Sequence, residues 1–319
     1  MPVTEVVTGL WMITVPDFRA QVNCYLIDTG DGLLLFDTGP RKTAPVLLEL
    51  MRQIDFAPPD IKWIVLSHSH ADHTGALAEI AESSGATVYA HPAAEGWLID
   101  HQRQFRERFE AFLPYMPVEV RFKNHFFDSL GRPWYPNTWL ESLPYALNTA
   151  RGLEIVYTPG HSADSVSLLM KEEGILLCGD AFMGAGVGGS LPRYDDPEQY
   201  VETLESLLDM HLSLLLSGHF APMNSDKLAL ALQQSQKMAY ILQNFIDQSV
   251  QRKPEGYDIG FLTRMVCARF ARPADASAAI TVQAHLMALE RKGKVHFDID
   301  RWKPGPQKQP IVIASVVGD

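Results

Sequence analysis

Six consecutive residues, His68-Ser69-His70-Ala71-Asp72-His73, place three imidazoles and a carboxylate directly after the apolar run Trp63-Ile64-Val65-Leu66. A hydrophobic core gains nothing from so many ionisable groups, because each would have to be desolvated and then paired. As ligands they suit one or two first-row divalent metals, since imidazole and carboxylate are the usual donors for zinc, iron or manganese. His68 and His70, two apart, can reach one ion from the same side of a loop, whereas the adjacent Asp72 and His73 point elsewhere and can serve a second. The competing reading is a polar loop with a chance cluster of histidines. It predicts no partners elsewhere in the chain.

Partners do occur, each at the end of an apolar run. Residues 152–157 lead into Thr158-Pro159-Gly160-His161, Ile175-Leu176-Leu177-Cys178 into Gly179-Asp180, and Leu212-Ser213-Leu214-Leu215-Leu216 into Ser217-Gly218-His219. β-Branched and aromatic residues mark strands over 5–15 and 21–28, and the strand Leu33-Leu34-Leu35-Phe36 delivers Asp37 to a tight turn at Thr38-Gly39-Pro40. Asp37 has two readings: a cap for the helix expected over 44–54, or a carboxylate that orients a metal-bound histidine. A strand over 62–67 precedes the histidine stretch and a helix through 75–81, with its first turn near Asp72, follows it, so the ligands occupy a strand-to-helix loop. His91, at the end of Val88-Tyr89-Ala90, reads as structural because no ligand role remains for it.

Seven candidates thus lie at four strand ends, and they divide into two sets. One metal takes His68, His70 and His161; the other takes Asp72, His73 and His219; Asp180 bridges them. Each ion keeps an open position for water or substrate, as a catalytic site requires. The set HSHADH, TPGH, GD and GH, with FDTG upstream, resembles the metallo-β-lactamase-fold hydrolases over roughly residues 5–222. That resemblance implies an α/β, four-layer αββα sandwich with a dinuclear site at one edge of two mixed sheets, and two divalent ions as cofactors, zinc first with iron or manganese compatible. It also implies metal-assisted hydrolysis, with Asp72 orienting the nucleophile and helping to move its proton, and Asp37 supporting a ligand from behind.

The rest of the chain bears on substrate and setting. Residues 95–150 break the β/α rhythm with a polar helical segment around 102–112 and then an aromatic stretch containing Phe126, Phe127, Trp134, Tyr135 and Trp139. The block reads as an insertion, serving either as core or as a cover for a pocket. Phe182 and Tyr194, in the loop 182–195, are assigned to the substrate pocket. A catalytic domain is expected over 1–225 and a helical, winged-helix-like module over 226–319, with helices over 228–251, 258–270 and 277–292. The latter module resembles the C-terminal part of the β-lactamase-like-protein-2 group, and Leu191-Pro192-Arg193-Tyr194-Asp195-Asp196 is similar to a segment of the quinolone-signal-response thioesterase.

These likenesses favour a small acyl ester, thioester or lactone as substrate. The alternatives are a metal-dependent endoribonuclease of the same fold, suggested by 13 Lys+Arg against 9 Asp+Glu in 226–319, and a non-catalytic regulatory protein with a structural metal site. A net charge of −11 argues against a general nucleic-acid binder. Three cysteines without a CxxC pair indicate neither a disulfide framework nor a thiolate zinc site. With no basic-then-apolar leader and no apolar run of about 18 residues, the chain reads as cytoplasmic. The expected partner is a small molecule, with no membrane and no nucleic acid, and a homodimer is left open.

Overall fold

A computed structural model describes residues 3–18 and 20–305. Two sheets carry the fold, and in each the strands lie side by side in chain order. The first contains β1 (Val3–Val7), β2 (Leu10–Pro16), β3 (Gln21–Asp28), β4 (Leu33–Phe36), β5 (Ile61–Val65), β6 (Thr87–Ala90) and β7 (Thr138–Trp139). The second contains β8 (Tyr145–Ala146), β9 (Leu153–Tyr157), β10 (Val166–Met170), β11 (Ile175–Gly179), β12 (Leu214–Ser217) and β13 (Met223–Asn224). Pairing is antiparallel from β1 to β4 and parallel from β4 to β7, while in the second sheet only β11 and β12 run parallel.

Side chains alternate between the faces of a strand, and here both faces are covered, so the central strands read as unbroken apolar runs. In β3, Tyr25 and Ile27 join Leu34, Phe36 and Val65 against Ile155, Leu168 and Leu177 of the second sheet. Cys24 and Leu26 face the other way, onto Leu47, Leu50 and Met51 of α1 (Ala44–Gln53). The outer face of the second sheet, Leu176, Cys178 and Leu215, is covered by Tyr200, Leu204 and Leu207 of a later helix, Pro197–Asp209. These four layers are the αββα sandwich that the motifs imply.

Local structure differs from expectation at two glycines. The run 5–15 divides into β1 and β2 at Gly9, whose φ of +72° suits glycine and turns the chain back on itself. The helix expected through 75–81 is two helices, α2 (Ala71–Thr74) and α3 (Leu77–Ser84), parted at Gly75. A Cβ on Gly75 would collide with the Ser129 carbonyl and the Arg41 amide, so the chain can pass there only without a side chain.

The insertion contributes α4 (Glu95–Ile99), α5 (His101–Arg108) and α6 (Val120–Ser129), and α7 (Pro197–Asp209) follows in the second half. The C-terminal part consists of α8 (Ser225–Gln251), α9 (Ile259–Phe270) and α10 (Ala276–Arg291), then the hairpin β14 (Val295–Asp298) and β15 (Arg301–Pro304), which stands where a wing was expected. Residues 306–319 of the expected 226–319 unit lie outside the described residues. Phe105, Phe109 and Phe126 of the insertion share one core with Leu242, Ile246, Leu262, Val266 and Leu286 of these helices. The aromatic block is therefore core on one side, leaving only part of it to face a cavity.

A polar clasp sits within this packing. The Tyr194 hydroxyl donates to His285 Nε2 (2.8 Å), and His285 Nδ1 donates to Gln243 Oε1 (2.9 Å), a pattern that requires neutral imidazole. Burial lowers the His285 pKa to about 3. In the unfolded chain it returns to about 6.5, so the unfolded state binds the extra proton between those values and stability falls as pH drops below about 6.5. At about 1.4 kcal/mol per pH unit, acidification from pH 7 to 5 costs about 2 kcal/mol at this residue. Urea unfolding at the two pH values should show His285→Gln losing about 2 kcal/mol less than the wild type on acidification. Equal losses would remove His285 from the acid response.

Candidate metal centre

All seven expected donors meet at the edge of the sandwich, at the carboxyl ends of β5, β9, β11 and β12. His68 Nε2 and His161 Nε2 each lie 2.9 Å from His70 Nδ1, so three imidazole nitrogens converge on one point. Asp72 Oδ2 lies 3.4 Å from His219 Nε2 and 3.7 Å from His73 Nε2, forming a second group. Asp180 stands between them, with Oδ2 3.4 Å from His161 Nε2 and 3.2 Å from His219 Nε2, and Oδ1 3.5 Å from His73 Nε2. The two sets expected from spacing, His68/His70/His161 and Asp72/His73/His219, are each close enough to hold an ion, and so is His68/His73/Asp180, which draws on both.

The donors suit a cation. His73 Nε2 and both Asp180 oxygens are buried without a hydrogen-bond partner, although buried polar atoms are almost always satisfied. A divalent ion is the ligand that would take imidazole and carboxylate lone pairs together.

Behind the donors, four imidazoles are held by their far nitrogen. His73 Nδ1 donates to Asp37 Oδ2 (2.8 Å), His161 Nδ1 to the Arg193 carbonyl (2.8 Å) and His219 Nδ1 to the Gln21 carbonyl (2.7 Å), while His68 Nδ1 meets Ser67 Oγ (2.9 Å). Such partners set which nitrogen faces the metal. Asp37 also accepts from Ser67 N and Ser67 Oγ at 2.7 Å, with its backbone at a φ of +63°, so it orients His73 and does not cap α1. Gly218 is required beneath the site, because a Cβ there would meet Asp180 Oδ1 and His73 Cε1. Trp97 stacks on His70, with ring centroids 5.9 Å apart. His91 stays apart, its Nδ1 accepting from Ala93 N and its ring stacked on Tyr157.

Charge is unevenly shared. Burial, reinforced by His73 and His161, lowers the His68 pKa; burial with Arg193 and Arg108 lowers that of His70; and burial brings His161 to about 4 against the pull of Asp180. Burial would also discharge His73, but Asp180, Asp72 and Asp37 together raise it to about 9, and Asp180 and Asp72 likewise raise His219. Burial opposes ionisation of Asp72 and Asp180, yet the facing histidines hold both below the usual carboxylate range. One half-site is thus three neutral imidazoles, and the other is a set of carboxylates balanced by imidazolium.

A cavity of about 180 Å³ opens beside Asp72, Asp180 and His219. Its apolar wall comes from Phe18 on the β2–β3 turn, Val118 and Phe122 of the insertion, and Met183 and Val187 after β11. Phe182 and Tyr194 are not brought to that wall. Phe182 packs on Phe220, and Tyr194 is fully buried against Tyr200 and His285, because both side chains turn into the core under α7 and α8. Arg193, next in sequence to Tyr194, faces the cavity instead, with Nη2 3.0 Å from His70 Nδ1. Nothing in the local sequence distinguished the two neighbours; the only signal was a lone arginine amid Leu191-Pro192-Arg193-Tyr194.

The description "Metallo-beta-lactamase superfamily" belongs to the family model that residues 18–219 match. The chain belongs to the metallo-beta-lactamase superfamily. Among relatives in this superfamily, the "Probable metallo-hydrolase YqgX" of Bacillus subtilis (strain 168) is 28% identical over 201 residues, covering 62% of this chain and 85% of that protein. The "Beta-lactamase-like protein 2 homolog" of Drosophila melanogaster is 26% identical over 281 residues, 86% of this chain and 83% of its own length. A metallo-beta-lactamase family protein from Thermus thermophilus superposes with a TM-score of 0.77 at 20% identity, covering 94% of this chain and all of that one. That likeness extends the shared fold over the C-terminal helices. Among the described residues no helix is long and apolar enough to cross a membrane.

Proposed function

We propose that this metallo-hydrolase is a dinuclear enzyme that hydrolyses a small acyl ester, thioester or lactone, with zinc as the first metal to test. The observation that carries the reading is the convergence of His68, His70 and His161 on one side of Asp180 and of Asp72, His73 and His219 on the other, beside a cavity with an apolar wall. Divalent ions in such a site supply Lewis acidity, which brings the pKa of water from ~15.7 towards ~7 and polarises a carbonyl oxygen.

The chain's own groups do the rest. His68, His70 and His161 are already neutral at pH 7 and offer lone pairs without first losing protons. Asp180 holds the two halves in register. Asp72, whose side chain is 19% exposed at the cavity, can accept a hydrogen bond from the attacking water and carry its proton towards the leaving group. Phe18, Val118, Phe122 and Met183 bind the acyl chain and exclude bulk water, which strengthens the electrostatic interactions inside. No serine or cysteine nucleophile is needed.

The test is a panel of esters, thioesters and lactones assayed with zinc-loaded protein against a chelated control. Turnover of at least one class, abolished by chelation, is the expected result. Failure on every class, or cleavage of single-stranded RNA alone, would overturn the substrate class.

A further inference from the structure

The side chain of Arg193 is half-buried and, among the described residues, pairs with no carboxylate. Its single described hydrogen bond runs from Nη2 to His70 Nδ1 at 3.0 Å, and its Nε is buried with no partner. The neighbouring Arg108 has claimed the nearby acid, binding Asp195 through both Nη1 (2.7 Å) and Nη2 (2.9 Å). His70 Nδ1 is the atom that converges with His68 Nε2 and His161 Nε2. One lone pair cannot serve both a metal and a guanidinium, so loading the first half-site leaves Nη2 of Arg193 without its acceptor as well. Nε and Nη2 are adjacent donors on one edge of a planar group, and that edge takes a carboxylate through two parallel hydrogen bonds.

The surrounding space has two lobes, and Arg193 stands where they meet, together with Asp17, Phe18, Asp72 and Phe122. The larger lobe is the apolar one already described. The smaller, about 80 Å³, lies beside His70, with Gln104, Arg108 and Ser129 and the Asp17–His125 pair (2.6 Å) as its polar wall and Phe109 and Phe126 as its apolar one, and has room for more than a single water. A half-buried cation with an unpartnered Nε that also loses its acceptor favours binding of an anion there, since an unpaired, partly desolvated charge is costly.

We infer that Arg193 is a specificity-determining residue, and that the substrate carries a carboxylate close to the scissile carbonyl, held by the Nε/Nη2 edge of Arg193 in the small lobe, with an apolar group on the other side of the bond in the large lobe. This rests on the hydrolase reading above and narrows it from acyl compounds in general to anionic ones. Arg108 supports the site by holding Asp195, which keeps that acid from neutralising Arg193.

Two measurements separate this inference from the reading beneath it. First, zinc-loaded wild type and Arg193→Gln are assayed on matched pairs of esters and thioesters that differ only in a free carboxylate against its methyl ester, placed on either side of the scissile bond. The kcat/KM ratio of anionic to neutral substrate should be at least about tenfold in the wild type, carried mainly by KM, and should fall close to one in Arg193→Gln, with Arg193→Lys between them. Second, calorimetry measures binding of a non-hydrolysable carboxylate with an apolar tail to both proteins, with zinc content checked by elemental analysis. Binding at least tenfold weaker in Arg193→Gln at unchanged zinc content is expected. A ratio near one in the wild type, or a ratio that Arg193→Gln leaves intact, overturns the inference while any ester turnover keeps the hydrolase reading. Arg193-dependent carboxylate binding without turnover of any ester would do the reverse.

Discussion

Asp180→Asn should lose about three orders of magnitude or more in kcat/KM on the best ester or thioester and should retain no more than about one tightly held ion per chain. The geometry gives the reason. Asp180 reaches both triads, with one oxygen 3.4 Å from His161 Nε2 and 3.2 Å from His219 Nε2. Asparagine keeps the shape but removes the negative charge and one of two equivalent acceptor oxygens, so neither ion is held as before and the pair is no longer clasped. Losing about 4 kcal/mol of charge stabilisation at the reacting carbonyl corresponds to about a thousandfold in rate. Elemental analysis and steady-state kinetics together decide the matter. An Asp180→Asn protein with two ions and activity within tenfold of the wild type would show that the two triads need no common ligand. His91→Ala, outside the cluster and stacked on Tyr157, should behave as the wild type in both assays.

Removing metal with a chelator should lower the melting temperature at pH 7 by about 10 °C. A ligand bound only by the folded state, present at about a thousand times its Kd, contributes about 4 kcal/mol, and in a protein of this size each kcal/mol moves the midpoint by about 2–4 °C. The metal-free fold should survive at neutral pH, because His73 and His219 can hold protons against Asp37, Asp72 and Asp180. Burial works against that charge, but the three carboxylates raise His73 to about 9, above its unfolded value of about 6.5. The stabilisation from this proton is therefore complete below about pH 6.5 and is lost as pH rises through about 9. Scanning calorimetry of chelated protein at pH 7 and pH 9.5 should show a second drop that zinc-loaded protein lacks, since ligation removes those protons beforehand. A midpoint unchanged by chelation would mean that the cluster holds no ion in the folded protein.

Much of this site was legible in the residues alone. His68, His70, Asp72, His73, His161, Asp180 and His219 each sit at or just beyond the end of an apolar run, and a parallel or mixed sheet brings its strand ends to one edge. Strand-end position therefore translated into proximity, and the split into two triads followed from which neighbours could point together. Asp37 was legible in the same way, as a carboxylate at a strand end, although only its 2.8 Å contact with His73 Nδ1 chose between capping and orienting. The C-terminal helices and their hairpin were readable because amphipathic periodicity is a local property.

What stayed hidden was everything set by contacts between distant segments. Tyr194 and Phe182 looked like pocket residues because they flank the loop, but α8 and α10 pack over that loop and draw both inward, Tyr194 through His285. The same turn of backbone sends Arg193 the other way, to His70. The carbonyls of Gln21 and Arg193 that fix His219 and His161 carry no residue-type signal at all, since every residue has a carbonyl.

The order of residues along the chain determined the apolar strand runs and the histidine–aspartate chemistry at the opening stretch, because hydrophobic period and donor type are written residue by residue, whereas the αββα layers were implied by the resemblance of the motif set. Only the tertiary structure decided that the insertion and the C-terminal helices form one core, that Phe182 and Tyr194 turn inward, and that the Arg193 guanidinium faces the site. Those facts depend on which surfaces exclude water together, and burial of that kind is a property of the folded whole.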